Sequence, residues 1–220
     1  MRIAFTMLEL VIVIVLIGIL AAGVVPLFQR DVLAEAAHQV ASHIRYTQHL
    51  AMVDNKFNPN DAQWYKARWQ IFFTKAKGAD RHWAYTIFSD GAGHTGNPDL
   101  SEVATNPLDS SKLLTGGYSG NLITQYNGDR ASNELNIGHE YGIDKVIFTG
   151  GCKLPSSRLR LAFDYYGRPI YDNQKLFDGM YTKKGKSMLV RKQCRIVLSK
   201  ENETITIAIE PETGFVHILY

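Results

Sequence analysis

The chain has 220 residues, of which 45% are hydrophobic, 20% charged and 11% aromatic. That suits one medium domain plus an appendage and excludes overall disorder. The net charge of +3 is spread unevenly: residues 151–200 hold 12 Lys and Arg against 3 Asp and Glu, whereas residues 201–220 hold 4 acidic and no basic side chains. Such asymmetry points either to an anionic partner or to a solvated rim.

In chain order the first feature is Leu10 to Phe28, 19 residues without a charge. As a helix this run is about 28 Å long, which predicts a membrane span of about residues 10–28. Arg2 lies ahead of it and favours an N-in orientation, with everything after the span exported. A secretory signal cleaved near Ala21-Ala22-Gly23 is the ordinary alternative. Two features oppose it. Glu9 places a carboxylate where a signal peptide is already apolar, and a helical stripe of Val32, Leu33, Ala36, Ala37, Val40, Ile44 and Ala51 continues beyond Pro26.

The segment FTMLELVIVIVLIGILAAGVVP resembles the class III signal of type IV pilins and type II secretion pseudopilins. The resemblance implies that a prepilin peptidase removes residues 1–4, cutting between Ala4 and Phe5, and N-methylates Phe5. The residue before the cut is usually Gly in that family; here it is Ala4. Glu9, Gly18 and Pro26 fall at the family's positions. It also implies assembly through Phe5, Glu9 and Pro26, with other pilin subunits and an inner-membrane assembly platform as partners. The chemistry agrees. Cleavage creates a cationic amine at Phe5, which can pair with Glu9 of a neighbouring subunit, and a buried pair of this kind is costly to break by removing one partner. Pro26 lacks an N–H and is expected to kink a helix running over residues 5–55.

After Asn55 the pattern changes to period two. Trp69, Ile71 and Phe73 alternate with Arg68, Gln70 and Thr74, and Trp83, Tyr85 and Ile87 alternate with His82, Ala84 and Thr86. These predict a strand pair with one buried face, its aromatics in the core. Residues 89–130 read as long loops. Strands are predicted again near Asp144–Thr149 and Arg158–Asp164, then in a meander of Cys194–Lys200, Thr204–Glu210 and Phe215–Tyr220. The predicted fold is α+β: a long N-terminal transmembrane and amphipathic helix packed on a β-rich domain of residues 56–220. The sequences HWAYTIFSDGAGHTG, RLRLAFDYYGRPIY and CRIVLSKENETITIAIEPETG are similar to H-type minor pseudopilins and FimT-like pilins, which implies a β-sandwich. Long insertions around residues 99–143 and 171–187 depart from that pattern.

Chemical constellations are sparse. Gly185-Lys186-Ser187 looks like the end of a phosphate loop, but Met180 stands where its first glycine is required. His38, His43 and His49 lack i, i+4 spacing for a shared zinc, and no metal site is expected. Asp90, Asn97 and Asp99 could offer oxygens to calcium, but the spacing is not that of an EF-hand and a polar loop is the simpler reading. No catalytic triad or carboxylate pair has a local signature, and no cofactor is expected.

Cys152 and Cys194 both fall in the exported part, where a disulfide is the default and two buried thiols the alternative. On the chain-entropy model that closure contributes about 4 kcal/mol. Between them lie Lys153, Arg158, Arg160, Arg168, Lys175, Lys183, Lys184, Lys186, Arg191 and Lys192. Of these, Lys183, Lys184, Lys186, Arg191 and Lys192 are the candidates for holding nucleic acid or an acidic partner, against a plain solvated rim. The reading is a non-catalytic minor pseudopilin of the bacterial inner membrane and periplasm. The alternative is a competence-type pilin that binds DNA through the basic 153–195 region.

Overall fold

The computed structural model describes residues 6–24, 31–91, 93–118, 130–154 and 159–220. The chain forms two compact units, Met1–Val32 and Leu33–Tyr220. Among the described residues of the first lies the helix α1 (Met7–Val24). The second opens on α2 (Val32–Val53) and continues with β1 (Trp69–Thr74), β2 (Ala84–Ser89), the single turn α3 (Ile137–Glu140), β3 (Lys145–Gly150), β4 (Leu159–Phe163) and β5 (Pro169–Tyr171). A small hairpin of β6 (Thr182–Lys183) and β7 (Lys186–Ser187) follows, then β8 (Cys194–Lys200), β9 (Glu203–Ile209) and β10 (Val216–Leu219).

The long transmembrane helix expected over residues 5–55 is not what forms. The N-terminal helix is short, with 18 residues, and among the described residues no helix is long and apolar enough to cross a membrane. Glu9 lies in its first turn. The residues beyond that carboxylate, 10–24, span only about 22 Å at the helical rise, short of a hydrocarbon core of about 30 Å. Residues 25–30, Pro26 and its expected kink included, lie outside the described residues.

α2 behaves as its stripe predicts. Leu33, Ala36, Ala37, Val40, Ala41, Ile44, Thr47 and Ala51 are buried. Four alanines in that stripe present little bulk, so strands can approach the helix axis closely. Two antiparallel four-stranded sheets share the same core: the first in the order β2-β1-β4-β5, the second β10-β9-β8-β3. Ile71, Phe73, Tyr85, Ile87, Leu161 and Phe163 of the first sheet meet Phe148, Ile196, Leu198, Ile207 and Ile209 of the second and the α2 stripe in one cluster. Phe73 and Phe148 touch directly across the sheets, edge to face at 5.8 Å between ring centroids.

The expectation of one buried face fails for the first sheet. β2 and β4 are buried at every position, and β1 at its four central ones. Val103 and Thr115 bridge to the edge strand β2, and Leu189 to Ile170 of the other edge strand β5, and side chains from these same two regions cover the outer face of the sheet. Phe72 and Phe88 pack there with Val103, Leu113 and Ala131, and Ala162 and Ile170 with Phe177 and Met188. The segments read as loops therefore act as a cover.

α2 also ties down the turns below the sheets. Gln48 Nε2 donates to the carbonyls of Gly167 and Thr213, each at 2.8 Å. Gly167 has φ +80°, and a Cβ there would stand 2.9 Å from Gln48 Nε2, so both the conformation and the space call for glycine.

Candidate functional site

Ala4 and Phe5, the expected processing pair, and Pro26 lie outside the described residues. Glu9 is described. Its Oε2 accepts from the backbone N of Thr6 at 3.1 Å and from the Thr6 hydroxyl at 3.0 Å, while Glu9 N donates to Thr6 Oγ1 at 3.3 Å. This reciprocal arrangement is a capping box, which satisfies amide groups that a helix start leaves open. Beyond it, Leu10, Ile12, Ile14, Leu16, Ile19 and Leu20 are all at least half exposed, as are most of the large side chains between them. An α-helix this apolar on every side needs cover on every side.

Cys152 and Cys194 form the disulfide, with Cα atoms 5.0 Å apart, and both residues are fully buried. Cys152 follows β3, and Cys194 opens β8 opposite Gly150. The bond thus closes the excursion in which the chain leaves the second sheet, builds β4 and β5 of the first, makes the β6–β7 hairpin and returns. The alternative of two buried thiols is set aside.

The cations of the basic stretch differ in exposure and pairing. Lys184, Lys186, Arg191 and Lys192 are exposed, but Lys183 pairs with Asp172. Arg158 lies outside the described residues. Lys184 and Gly185 have φ of 50° and 72° between the paired Lys183 and Lys186, the conformation of a tight hairpin turn. Gly185-Lys186-Ser187 is that turn and its strand, not a phosphate loop.

Arg160 is buried at 1% exposure, with its guanidinium 3.8 Å from the Phe72 ring centroid, and it donates to Gln70 Oε1 and to the Gly96 carbonyl. Arg168 donates through Nε to Asp164 Oδ2 at 2.8 Å and through Nη2 to the Tyr181 hydroxyl at 2.9 Å. Asp164, itself buried, also accepts from the backbone N of Tyr166 and of Arg168 through Oδ1 and from the Tyr181 hydroxyl through Oδ2. Both oxygens are therefore engaged twice over. Sequence reasoning missed this network, with Arg68, Gln70, Gln174 and Tyr181, because polar side chains alternating with apolar ones read as a solvent face.

Among the histidines, His38 Nε2 meets the Tyr220 hydroxyl at 2.8 Å, His49 is exposed, and His43 Nδ1 lies 2.6 Å from the Tyr85 hydroxyl. Burial pulls His43 down to about 4. In the Gly-rich loop, Asp90 Oδ2 accepts from Gly96 N, and burial raises its carboxyl. Asn97 Oδ1 accepts from the Tyr118 hydroxyl. Among the described residues no group of three or more His, Cys, Asp or Glu is placed to hold a metal ion.

No family model, curated protein or solved structure matches this chain.

Proposed function

We propose that the chain is a non-catalytic subunit of a pilin-like filament, a minor pseudopilin of type II secretion, with α1 as its polymerising element. The observation that supports this most is the all-round apolar exposure of α1, which opens on a single carboxylate at Glu9. A helix of this kind is covered when copies of it, or of related subunits, stack side by side. In such a stack Glu9 has a partner available in the amine of a neighbouring Phe5, freed by cleavage after Ala4. The disulfide supports folding of the second unit in an oxidising, exported compartment. The prepilin peptidase and other pilin-type subunits are its proposed partners.

The test is made on the full chain expressed with its own assembly genes. Mass analysis of the assembled protein is expected to give an N-methylated Phe5 terminus. Cysteines introduced at Ile12 and Ile19 are expected to cross-link to α1 of neighbouring subunits. An intact Met1 terminus, or α1 cysteines that never cross-link between subunits, overturns the reading.

A further inference from the structure

Where α2 stops, the second unit leaves large apolar side chains uncovered. Tyr166 is 64% exposed and Phe57 58%, Tyr165 is exposed beside them, and Met52 and Val53 stand exposed on the last turn of the helix. The contacts between them join these side chains into one surface. The rings of Tyr165 and Tyr166 lie 4.1 Å apart. A Cβ on Gly167, the next residue of their turn, would stand 3.1 Å from Met52 Sδ, so the end of α2 lies against that turn. Tyr165 and Trp64 wall one cleft with Ala51 and Asp54, and Phe57 packs edge to face on Trp64 at 5.3 Å.

This surface is held in place and carries paired charges. Arg168 lies over the Tyr166 ring, 5.3 Å from its centroid, and is itself bonded to Asp164 at 2.8 Å. Asp54, in the wall of the cleft, is paired with Lys56. Three aromatic side chains of about 150–250 Å² each, at these exposures, leave on the order of 300 Å² in water before Met52 and Val53 are added. A contiguous apolar patch of that size marks an interaction site, and aromatic and methionine side chains with few open charges are what the centre of an interface is made of.

The same chain carries a surface of matching chemistry. From Leu10 to Val24, α1 has no charge. A helix docks by laying side chains at i, i+3, i+4 and i+7 against an apolar surface. Leu10, Val13, Ile14 and Ile17 have that spacing, and all four are exposed. We infer that the surface of Met52, Phe57, Tyr165 and Tyr166 receives α1 of a second copy of this chain. The inference rests on the filament reading and adds to it a second contact for α1, beside the stacking of α1 on α1. Giver and receiver are different parts of one chain, so the contact is heterologous. A copy that lends α1 to one neighbour still offers its tyrosines to the next, and growth does not stop at a symmetric dimer.

The experiment uses the full chain expressed with its own assembly genes, as two differently tagged copies. One copy carries Ile14→Cys and the other Met52→Cys. The native cysteines are bonded to each other and buried, so they do not react. A thiol cross-linker is expected to give a product that carries both tags. Tyr166→Asp, at an exposed position, is expected to keep the wild-type urea midpoint and to lower the yield of that product at least about tenfold, as loss of a central aromatic anchor does. If that variant does not fold, the cross-link between the two otherwise unchanged copies still decides. Cross-links from α1 to α1 with none from Ile14→Cys to Met52→Cys overturn this inference and leave the filament reading standing; absence of both overturns both. A product joining Met52→Cys to itself, a bond formed within one chain that carries both cysteines, or an undiminished yield in folded Tyr166→Asp also overturns the inference.

Discussion

The side chain of Glu9 folds back on Thr6 and caps α1, so the one acidic group of that helix has an intramolecular role before any neighbour is present. If the proposed filament forms, one carboxylate serves two functions: starting the helix, and pairing with a neighbour's amine. They are separable, because Thr6 takes part only in the first. Thr6→Ala is expected to fray the first turn of α1 but to leave filament incorporation close to wild type. Glu9→Ala is expected to lower incorporation sharply. Quantifying both variants in the assembled fraction checks this, and equal losses in the two would mean that the cap alone matters.

The disulfide joins the ends of an excursion that supplies half of the first sheet, so its loss loosens the unfolded chain across both sheets. Both sulfurs are buried, and alanine fits their places without leaving a thiol behind. The double variant Cys152→Ala, Cys194→Ala is expected to fold, with stability lower by about 2–4 kcal/mol. Denaturant titration measures that difference. Thiol labelling of the unreduced wild-type protein is expected to find no free cysteine.

How far the fold could be read beforehand depends on what lay on the second face of each strand. The α2 stripe and the strands at Trp69–Thr74, Lys145–Gly150 and Cys194–Lys200 were legible because apolar side chains recur there with one period. The cover on the first sheet was not, since Arg68, Gln70, Thr86 and Arg160 look like residues that face water. The available signal was Phe72 and Phe88, two large apolar residues on that supposedly wet face, which meet at 6.5 Å. Hairpin β6–β7 escaped notice because each strand has only two residues. Glu9 is legible as a special residue because it stands alone beside an apolar run, and its bond to Thr6 has a signal of its own, since a threonine three residues ahead of a glutamate is the pattern of a capping box.

His43 makes stability depend on pH. Gln39 Nε2 donates to the Tyr85 hydroxyl at 3.0 Å, and the hydroxyl proton is then available to His43 Nδ1 at 2.6 Å, an arrangement that the neutral imidazole satisfies. Burial holds His43 at about 4, against about 6.5 for an exposed histidine. Between those values the unfolded chain binds the extra proton, so stability is fully present above about pH 6.5 and falls as the pH drops towards 4. The shift corresponds to about 3 kcal/mol. His43→Gln keeps an acceptor for Tyr85 and is expected to flatten stability between pH 4.5 and 7. Urea midpoints of both proteins across that range check the slope.

The exposed cations at the β6–β7 turn and ahead of β8 decide between a secretion subunit and a DNA-capturing one. Lys184, Lys186, Arg191 and Lys192 are exposed, whereas Lys183 is paired with Asp172 and Arg160 and Arg168 are committed inside the fold. The charge total of the stretch thus overstates what a phosphate backbone could meet. If these four side chains did grip duplex DNA, each contact would release a counterion, and the log–log salt slope would approach about −0.9 per phosphate. The secretion reading expects no saturable binding of duplex DNA by the full chain at low salt. Replacing Lys184, Lys186, Arg191 and Lys192 with Gln is expected to leave stability within about 0.5 kcal/mol, since all four project from the surface. Fluorescence anisotropy with labelled duplex at low and moderate salt is the deciding measurement. Saturable binding that weakens steeply with salt, and is lost in the fourfold variant, would replace the secretion reading with the competence one.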